Sequence, residues 1–169
     1  AEKKLTPYYY YPVIVYLTDA ELDKYQLYTS KIIQNIVKRK DKTIVTNLAK
    51  EFMLKRARLV AGASEKIEKL REMANDFKNE KNMLIYCGAT NVQGYDNCSD
   101  DDIRQIDYIS RMLNFDFGMR TAQFTSREDS KERKRRLEEF QNGEIQALIA
   151  IKCLDEGVNV PAIKTAYIL

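Results

Sequence analysis

Residues 83–169 alternate short apolar runs with charged or amphipathic segments, and this alternation limits the fold more than any other feature of the chain. The apolar runs predict four strands, at residues 83–87, 120–124, 145–151 and 165–169. Apolar residues at helical spacing predict helices between them, at residues 99–114 and 130–141. Strands that alternate with helices favour a parallel sheet, so we predict an α/β fold in which helices flank the sheet.

The first part of the chain has a different pattern, which predicts a mostly helical arm after an extended lead-in over residues 1–18. The lead-in is rich in proline, tyrosine and β-branched residues, which disfavour a helix. Its four consecutive tyrosines, Tyr8 to Tyr11, could stack on nucleic-acid bases or pack against the domain or a partner. Thr18 and Glu21 then form a capping-box pattern that predicts the start of the first helix.

Three helices are predicted in this arm, at residues 19–39, 44–61 and 65–79, with Ser64 as the cap of the third. A polar connection over residues 38–42 separates the first two. The apolar faces of these two helices are predicted to include Ile33, Leu48 and Val60. Residues 79–82 are polar, so we predict a boundary there, with an arm over residues 1–80 and an α/β domain over residues 83–169.

Composition excludes several classes of protein. The chain is 44% hydrophobic and 31% charged, which is typical of a globular protein. No apolar run approaches the ~18 residues of a membrane span, and the sequence has no signal-peptide pattern, so we expect no membrane partner. Three cysteines and no histidine argue against a zinc site and exclude a histidine-based triad within the chain. Cys87 and Cys153 lie in apolar runs and are predicted to be buried thiols, consistent with the cytoplasm.

Charge is distributed unevenly along the chain. Residues 1–60 hold 12 Lys and Arg against 6 Asp and Glu, whereas residues 61–169 hold 16 against 19. A basic arm can bind phosphate groups, but a solvated helix face rich in lysine explains the same excess of positive charge.

The segment Asp155–Pro161 is the strongest local signal for a ligand site. It follows the predicted strand at 145–151, and ligands of open α/β sheets bind beyond the carboxyl ends of strands. Gly157 would allow a phosphate or another domain to approach the backbone closely. The same composition is also typical of an ordinary turn between two strands.

Polar residues follow two other predicted strands. Thr125 and Ser126 come after the strand at 120–124, where hydroxyls and backbone amides suit a phosphate, although they could equally be a simple helix N-cap. Gly88 and Thr90 follow the strand at 83–87. Arg133 belongs to a run of cations on the next helix that is also typical of a solvated face.

These motifs together resemble the second RecA-like domain of superfamily two helicases, of the restriction-type or excision-repair-like group. The segment Ile149–Pro161 resembles motif V, the spacing of Arg133, Phe140 and Gly143 resembles the helix before it, and Tyr86-Cys87-Gly88 resembles motif IV. The arm resembles the connector after the first RecA-like domain in restriction-type and phage-type helicases, and more loosely the arm of Swi/Snf-type remodellers. The resemblance covers essentially the whole chain.

The resemblance implies a site shared with a first RecA-like domain that this sequence does not contain. It places Asp155, Glu156, Gly157 and Asn159 at the ATP cleft. It assigns nucleic-acid contacts to Gly88, Thr90, Thr125, Ser126, Arg133, Ile151 and Lys152. ATP and Mg²⁺ would be bound mainly by the first domain, and DNA is the expected track, with RNA as an alternative. Many relatives carry Asp at the position of Asn159, so a role there that needs a carboxylate is in question.

The resemblance also implies that the catalytic machinery is incomplete here. The sequence has no Gly-x-x-x-x-Gly-Lys-Ser/Thr phosphate loop and ends before the arginine motif of the family, so we expect a cut domain that is inactive alone. The implied function is that of the C-terminal motor domain of an ATP-dependent DNA helicase or translocase in restriction or repair. The alternatives are a protein-docking module, a Swi/Snf-type translocase domain, and a small-molecule enzyme with Asp155 or Glu156 as base.

Overall fold

The computed structural model describes residues 7–39, 42–88, 105–125, 128–151 and 162–169. The arm contains α1 (Asp19–Gln34), β1 (Ile36–Arg39), β2 (Lys42–Val45) and α2 (Asn47–Ala61). The rest contains α3 (Ser64–Phe77), β3 (Met83–Tyr86), α4 (Gln105–Arg111), a π-helical turn (Met112–Asp116), β4 (Thr121–Phe124), α5 (Ser130–Gln141), β5 (Ala147–Ala150) and β6 (Thr165–Ile168). This is the predicted α/β fold with a helical arm.

The four strands of the main sheet are all parallel, in the order β4-β5-β3-β6. They match the four predicted strands, with slightly shorter bounds. Ala150 at the end of β5 is in register with Tyr86 of β3 and Phe124 of β4, and Tyr86 is in register with Ile168 of β6. The carboxyl ends of all four strands therefore lie along one edge of the sheet.

Helices cover both faces of the sheet. Neighbouring residues of a strand point to opposite sides, so a strand can pack against helices on both faces. Ile85 and Ile149 pack with the buried residues of α3 and α4, among them Leu70 and Ile109. Leu84 and Leu148 pack on the other face with Phe140 of α5. The central strands β3 and β5 are buried on both faces, which explains the continuous apolar runs at these positions of the sequence.

The opposite, amino-terminal edge of the sheet is held together by Gln146, a buried polar residue. Its Nε2 donates to the carbonyl oxygens of Lys78 and Glu80, at 2.8 and 3.1 Å, and its Oε1 accepts from the Arg120 amide at 3.0 Å. One side chain therefore ties the segments that enter β3, β4 and β5.

The arm differs from the prediction where α1 ends. Its capping box is present as predicted, but the helix stops at Gln34 instead of residue 39. The chain then forms an antiparallel hairpin, β1 and β2, over residues predicted as helix end, polar connection and helix start. β1 and β2 contain β-branched residues, which favour a strand pair. Thr46 closes the hairpin, because its Oγ1 donates to the Asn35 carbonyl and accepts the Ala49 amide of α2.

The start of α3 and the faces of α1 and α2 also need correction. Ser64 is the first residue of α3 and not its cap, and no side chain caps the helix from Ala63. The Ser64 amide instead donates to Glu21 Oε1 of α1 at 2.9 Å. Ile33, Leu48 and Val60 are 67%, 47% and 40% exposed. These helices pack mainly on each other, so their buried surface is narrower than the apolar spacing predicted.

The lead-in carries a group of exposed aromatic residues. Residues 7–18 form no helix or strand, and Tyr8 to Tyr11 are 76–89% exposed. Of the alternatives for these tyrosines, packing against this domain is therefore wrong. Stacking on bases and packing on a partner stay predictions, as does the domain boundary at residues 79–82.

Candidate functional site at the carboxyl edge of the sheet

Three of the predicted site residues follow neighbouring strands at the carboxyl edge. Gly88 comes two residues after β3, Thr125 directly after β4, and Ile151 directly after β5. The register of these strands brings the three positions to the same edge, where ligands of open α/β sheets bind. Seven further predicted site residues lie outside the described residues, so their roles stay predictions: Thr90, Ser126, Lys152, Asp155, Glu156, Gly157 and Asn159.

Thr125 presents two donors to one anionic oxygen. Its amide and its hydroxyl both donate to Glu128 Oε2, at 2.7 and 2.9 Å, and the residue is 7% exposed. Thr125 is not the N-cap of α5, because Asp129 has that role and accepts the Glu132 amide at 2.8 Å. The Thr125 amide and hydroxyl thus both bind a carboxylate in this structure, and the predicted nucleic-acid contact of Thr125 stays a prediction.

Arg136 balances the charge of that carboxylate. Its Nη1 lies 2.9 Å from Glu128 Oε1, and the Glu128 side chain is only 9% exposed. The same guanidinium donates to the Gln123 carbonyl of β4 and, through Nε, to Glu132 Oε1 at 2.8 Å. Arg136 therefore joins α5 to the end of β4, and the interpretation of this residue as part of a solvated face is wrong.

The other cations of α5 divide into two groups. Lys134 and Arg135 have side chains 80% and 61% exposed and pair with glutamates of the same helix, as a solvated face predicts. Arg135 and Arg136 together hold the pKa of Glu132 down to about 2 through hydrogen bonds. Arg133 differs, because its Nε is buried and no described residue accepts its hydrogen bond. A buried donor without a partner costs free energy, and the predicted nucleic-acid contact of Arg133 stays a prediction.

The glycine at position 88 allows α2 to pack closely against the carboxyl edge of the sheet. A Cβ added there would lie 3.2 Å from the Cβ of Ala61, the last residue of α2. Gln105 at the start of α4 is fully buried beside them and donates through Nε2 to the Ala61 carbonyl at 3.4 Å. The absence of a side chain at Gly88 lets the end of α2 approach the carboxyl edge. The predicted nucleic-acid contact of Gly88 stays a prediction.

We expect Gly88→Ala to lower the free energy of unfolding by about 1–2 kcal/mol, because the new methyl overpacks this contact. Urea denaturation followed by circular dichroism measures the change. Combining it with Ala61→Gly removes the opposing methyl, so the cost of Ala at position 88 should fall by at least about 0.5 kcal/mol. A Gly88→Ala cost that is the same with and without Ala61→Gly would contradict the proposed contact.

The buried thiol of Cys87 has no catalytic character. Cys87 is 1% exposed, as predicted, and desolvation raises its pKa to about 12. A thiol that stays protonated at neutral pH is a poor nucleophile. Cys153 lies outside the described residues. Across the part of the chain that the structure describes, no group of three acidic or cysteine side chains could hold a metal ion, and no helix has the length and apolarity to cross a membrane.

Comparison with known proteins identifies the family. Residues 65–169 match the helicase conserved C-terminal domain family, and no curated protein sequence matches the chain. The structure is similar to the Sulfolobus solfataricus SWI2/SNF2 ATPase C-terminal domain, with a TM-score of 0.62 and 14% identity, over 90% of this chain and 75% of that one. This similarity confirms the RecA-like fold.

Two other solved structures align with weaker overlap. The Pyrococcus furiosus Hef helicase domain is 19% identical over 85% of this chain, with a TM-score of 0.43, and the C-terminal part of the Fun30 ATPase domain is 17% identical over 62%, with a TM-score of 0.45. The chain spans 28% and 31% of these two structures. Because the family match covers more than half of the sequence, the chain belongs to the helicase conserved C-terminal domain family.

Proposed function

We propose that this chain is the second motor domain of an ATP-dependent DNA helicase or translocase that acts in the cytoplasm, in restriction or repair. The main support for the proposal is Thr125, which lies at the carboxyl edge of the parallel sheet and binds an anionic oxygen there, in a chain that belongs to this family. A backbone phosphate could take the place of the Glu128 carboxylate, because amide and hydroxyl donors serve both.

In this proposal a first RecA-like domain would bind ATP and Mg²⁺, and this domain would close over the nucleotide with Asp155, Glu156, Gly157 and Asn159 at the cleft. Phosphoryl transfer to water then depends on positioning and on charge stabilisation at the joined cleft. Thr125 and Arg133 of this domain hold one nucleic-acid strand through its phosphates. Alternating closure and release would move the motor along the backbone.

A SWI2/SNF2-type translocase domain is the second candidate. The Sulfolobus solfataricus structure with the same fold is an ATPase domain of that type. A protein-docking module is the third candidate, since the exposed tyrosines of the lead-in offer a surface for a partner. Nucleic-acid binding separates the motor from the docking module.

The 169-residue chain should bind labelled DNA at about 50 mM salt and lose most of its affinity at about 200 mM, because phosphate contacts release counterions. Arg133→Gln should weaken binding by about tenfold, since it removes a charge-assisted hydrogen bond. Fluorescence anisotropy measures both effects. Lys134→Gln is the matched control, with the same charge change on the same helix and a smaller expected loss. Absence of binding at low salt, or equal losses in the two variants, would contradict the assigned nucleic-acid contact.

A further inference from the structure

A second concave site lies between the arm and the α/β layer. It is a cavity of about 460 Å³ between α1, α2, the first turn of α3 and the residue after β6. Its lining includes apolar residues such as Met53, Val60 and Leu169 together with Tyr25, Arg56 and Lys66. A volume of this size falls within the range of small-ligand sites.

Two cations face this cavity without an acidic partner. Among the described residues, no carboxylate forms an ion pair with Arg56 or Lys66, whereas their neighbours Lys55 and Lys69 pair with Glu51 at 2.7 Å and Glu72 at 2.5 Å. Lys66 is partly buried, and desolvation lowers its pKa. An ammonium group that has lost water without gaining a carboxylate is stabilised by any anion that binds beside it.

The guanidinium of Arg56 is held in place by its surroundings. It stacks over the Tyr25 ring, with its central carbon 5.3 Å from the ring centroid, and its Nη1 donates to Thr29 Oγ1 at 3.2 Å. The Thr29 hydroxyl in turn donates to the Tyr25 carbonyl at 2.8 Å. Stacking on a ring and one hydrogen bond leave most of the five donors of the fork available, in a geometry suited to a phosphate.

We propose that this cavity is an anion-binding site in which Arg56 and Lys66 bind a phosphate group, carried by a nucleotide or by a nucleic-acid backbone. The two cations come from different helices, so a bound phosphate would link α2 to α3. The apolar residues of the lining would contact the uncharged part of the ligand. The site uses none of the residues assigned to the motor, and its existence does not rest on the proposed function.

Isothermal titration calorimetry on the 169-residue chain tests the site with three probes: inorganic phosphate, ADP and a short single-stranded DNA. We expect at least one of ADP and DNA to bind, with inorganic phosphate as a competitor. Arg56→Gln and Lys66→Gln should each weaken that binding by at least about tenfold, which is the loss of one charge-assisted contact. The tighter of the two larger probes identifies the source of the phosphate.

The matched controls are Lys55→Gln and Lys69→Gln, which remove the same charge from the same helices at positions already paired to glutamate. They should leave the affinity within about twofold, and circular dichroism checks that all four variants stay folded. Equal losses in the controls would show delocalised charge attraction and overturn the site. Absence of binding of all three probes would overturn it as well. Because the motor residues are untouched, this result is independent of the Arg133 experiment.

Discussion

We expect Phe140→Ala to lower the free energy of unfolding by about 4 kcal/mol, the largest effect of any substitution considered for this chain. Phe140 is fully buried and packs with Leu84, Phe124 and Leu148 between α5 and the sheet. Removing its ring deletes buried apolar surface and leaves a cavity that close-packed neighbours fill only in part. Urea denaturation followed by circular dichroism gives the free energy of unfolding.

Phe115→Ala is the matched control, because Phe115 is 83% exposed in the π-helical turn before β4. Its change in the free energy of unfolding should stay within about 0.5 kcal/mol. A similar cost for both variants would mean that α5 does not pack on the sheet as described.

Arg136→Met should lower the free energy of unfolding by about 3 kcal/mol, because it leaves the buried Glu128 carboxylate without its cation. The aliphatic part of the side chain is retained, so the loss reports the charge and its hydrogen bonds. Thermal or urea unfolding measures the difference from the wild type. Adding Glu128→Gln to this variant should restore at least about 1 kcal/mol, since the unpaired charge is then absent.

Arg135→Met is the neighbouring control. Its side chain is 61% exposed, and ion pairs at such positions contribute about 0–1 kcal/mol. If the two arginine variants lose the same stability, the Glu128–Arg136 pair is not the buried link between α5 and β4 that the structure shows.

The α/β layer could be predicted from the sequence because its central strands β3 and β5 are buried on both faces and its helices are amphipathic. The apolar run at residues 83–87 predicts a buried strand, and the spacing of Ile67, Leu70 and Phe77 predicts an amphipathic helix. Gly143 likewise marks the end of α5, where it adopts a φ of 76°. In these places local pattern and tertiary packing favour the same structure.

The hairpin could not be predicted, because Ile36 and Ile44 continue the helical spacing of the segments beside them. The two segments form strands because β1 and β2 pair with each other. The pattern within one segment does not show which other segment it will pair with. The exposed Ile33 and Leu48 have the same origin, since apolar spacing does not tell which surface a neighbouring helix will cover.

In the candidate site, too, some features could be predicted from the sequence and others depend on tertiary packing. The strand-end positions of Gly88, Thr125 and Ile151 follow from the order of strands and helices, and the structure brings them to one edge. The Glu128–Arg136 link was missed because a charged helix face looks the same whether one of its cations is solvated or folded against a strand. The Ala61–Gly88 contact joins distant segments, so only the packing of α2 reveals why position 88 lacks a side chain.

The most direct test of the motor proposal is ATP hydrolysis by a protein that carries both RecA-like domains, measured without nucleic acid and with single-stranded DNA, duplex DNA or RNA. A Gly157→Val variant serves as the matched inactive form, since a branched side chain would keep the loop from approaching the nucleotide. The account predicts hydrolysis that one nucleic acid stimulates strongly and that the variant loses. Hydrolysis that no nucleic acid stimulates would contradict it and would favour the protein-docking module.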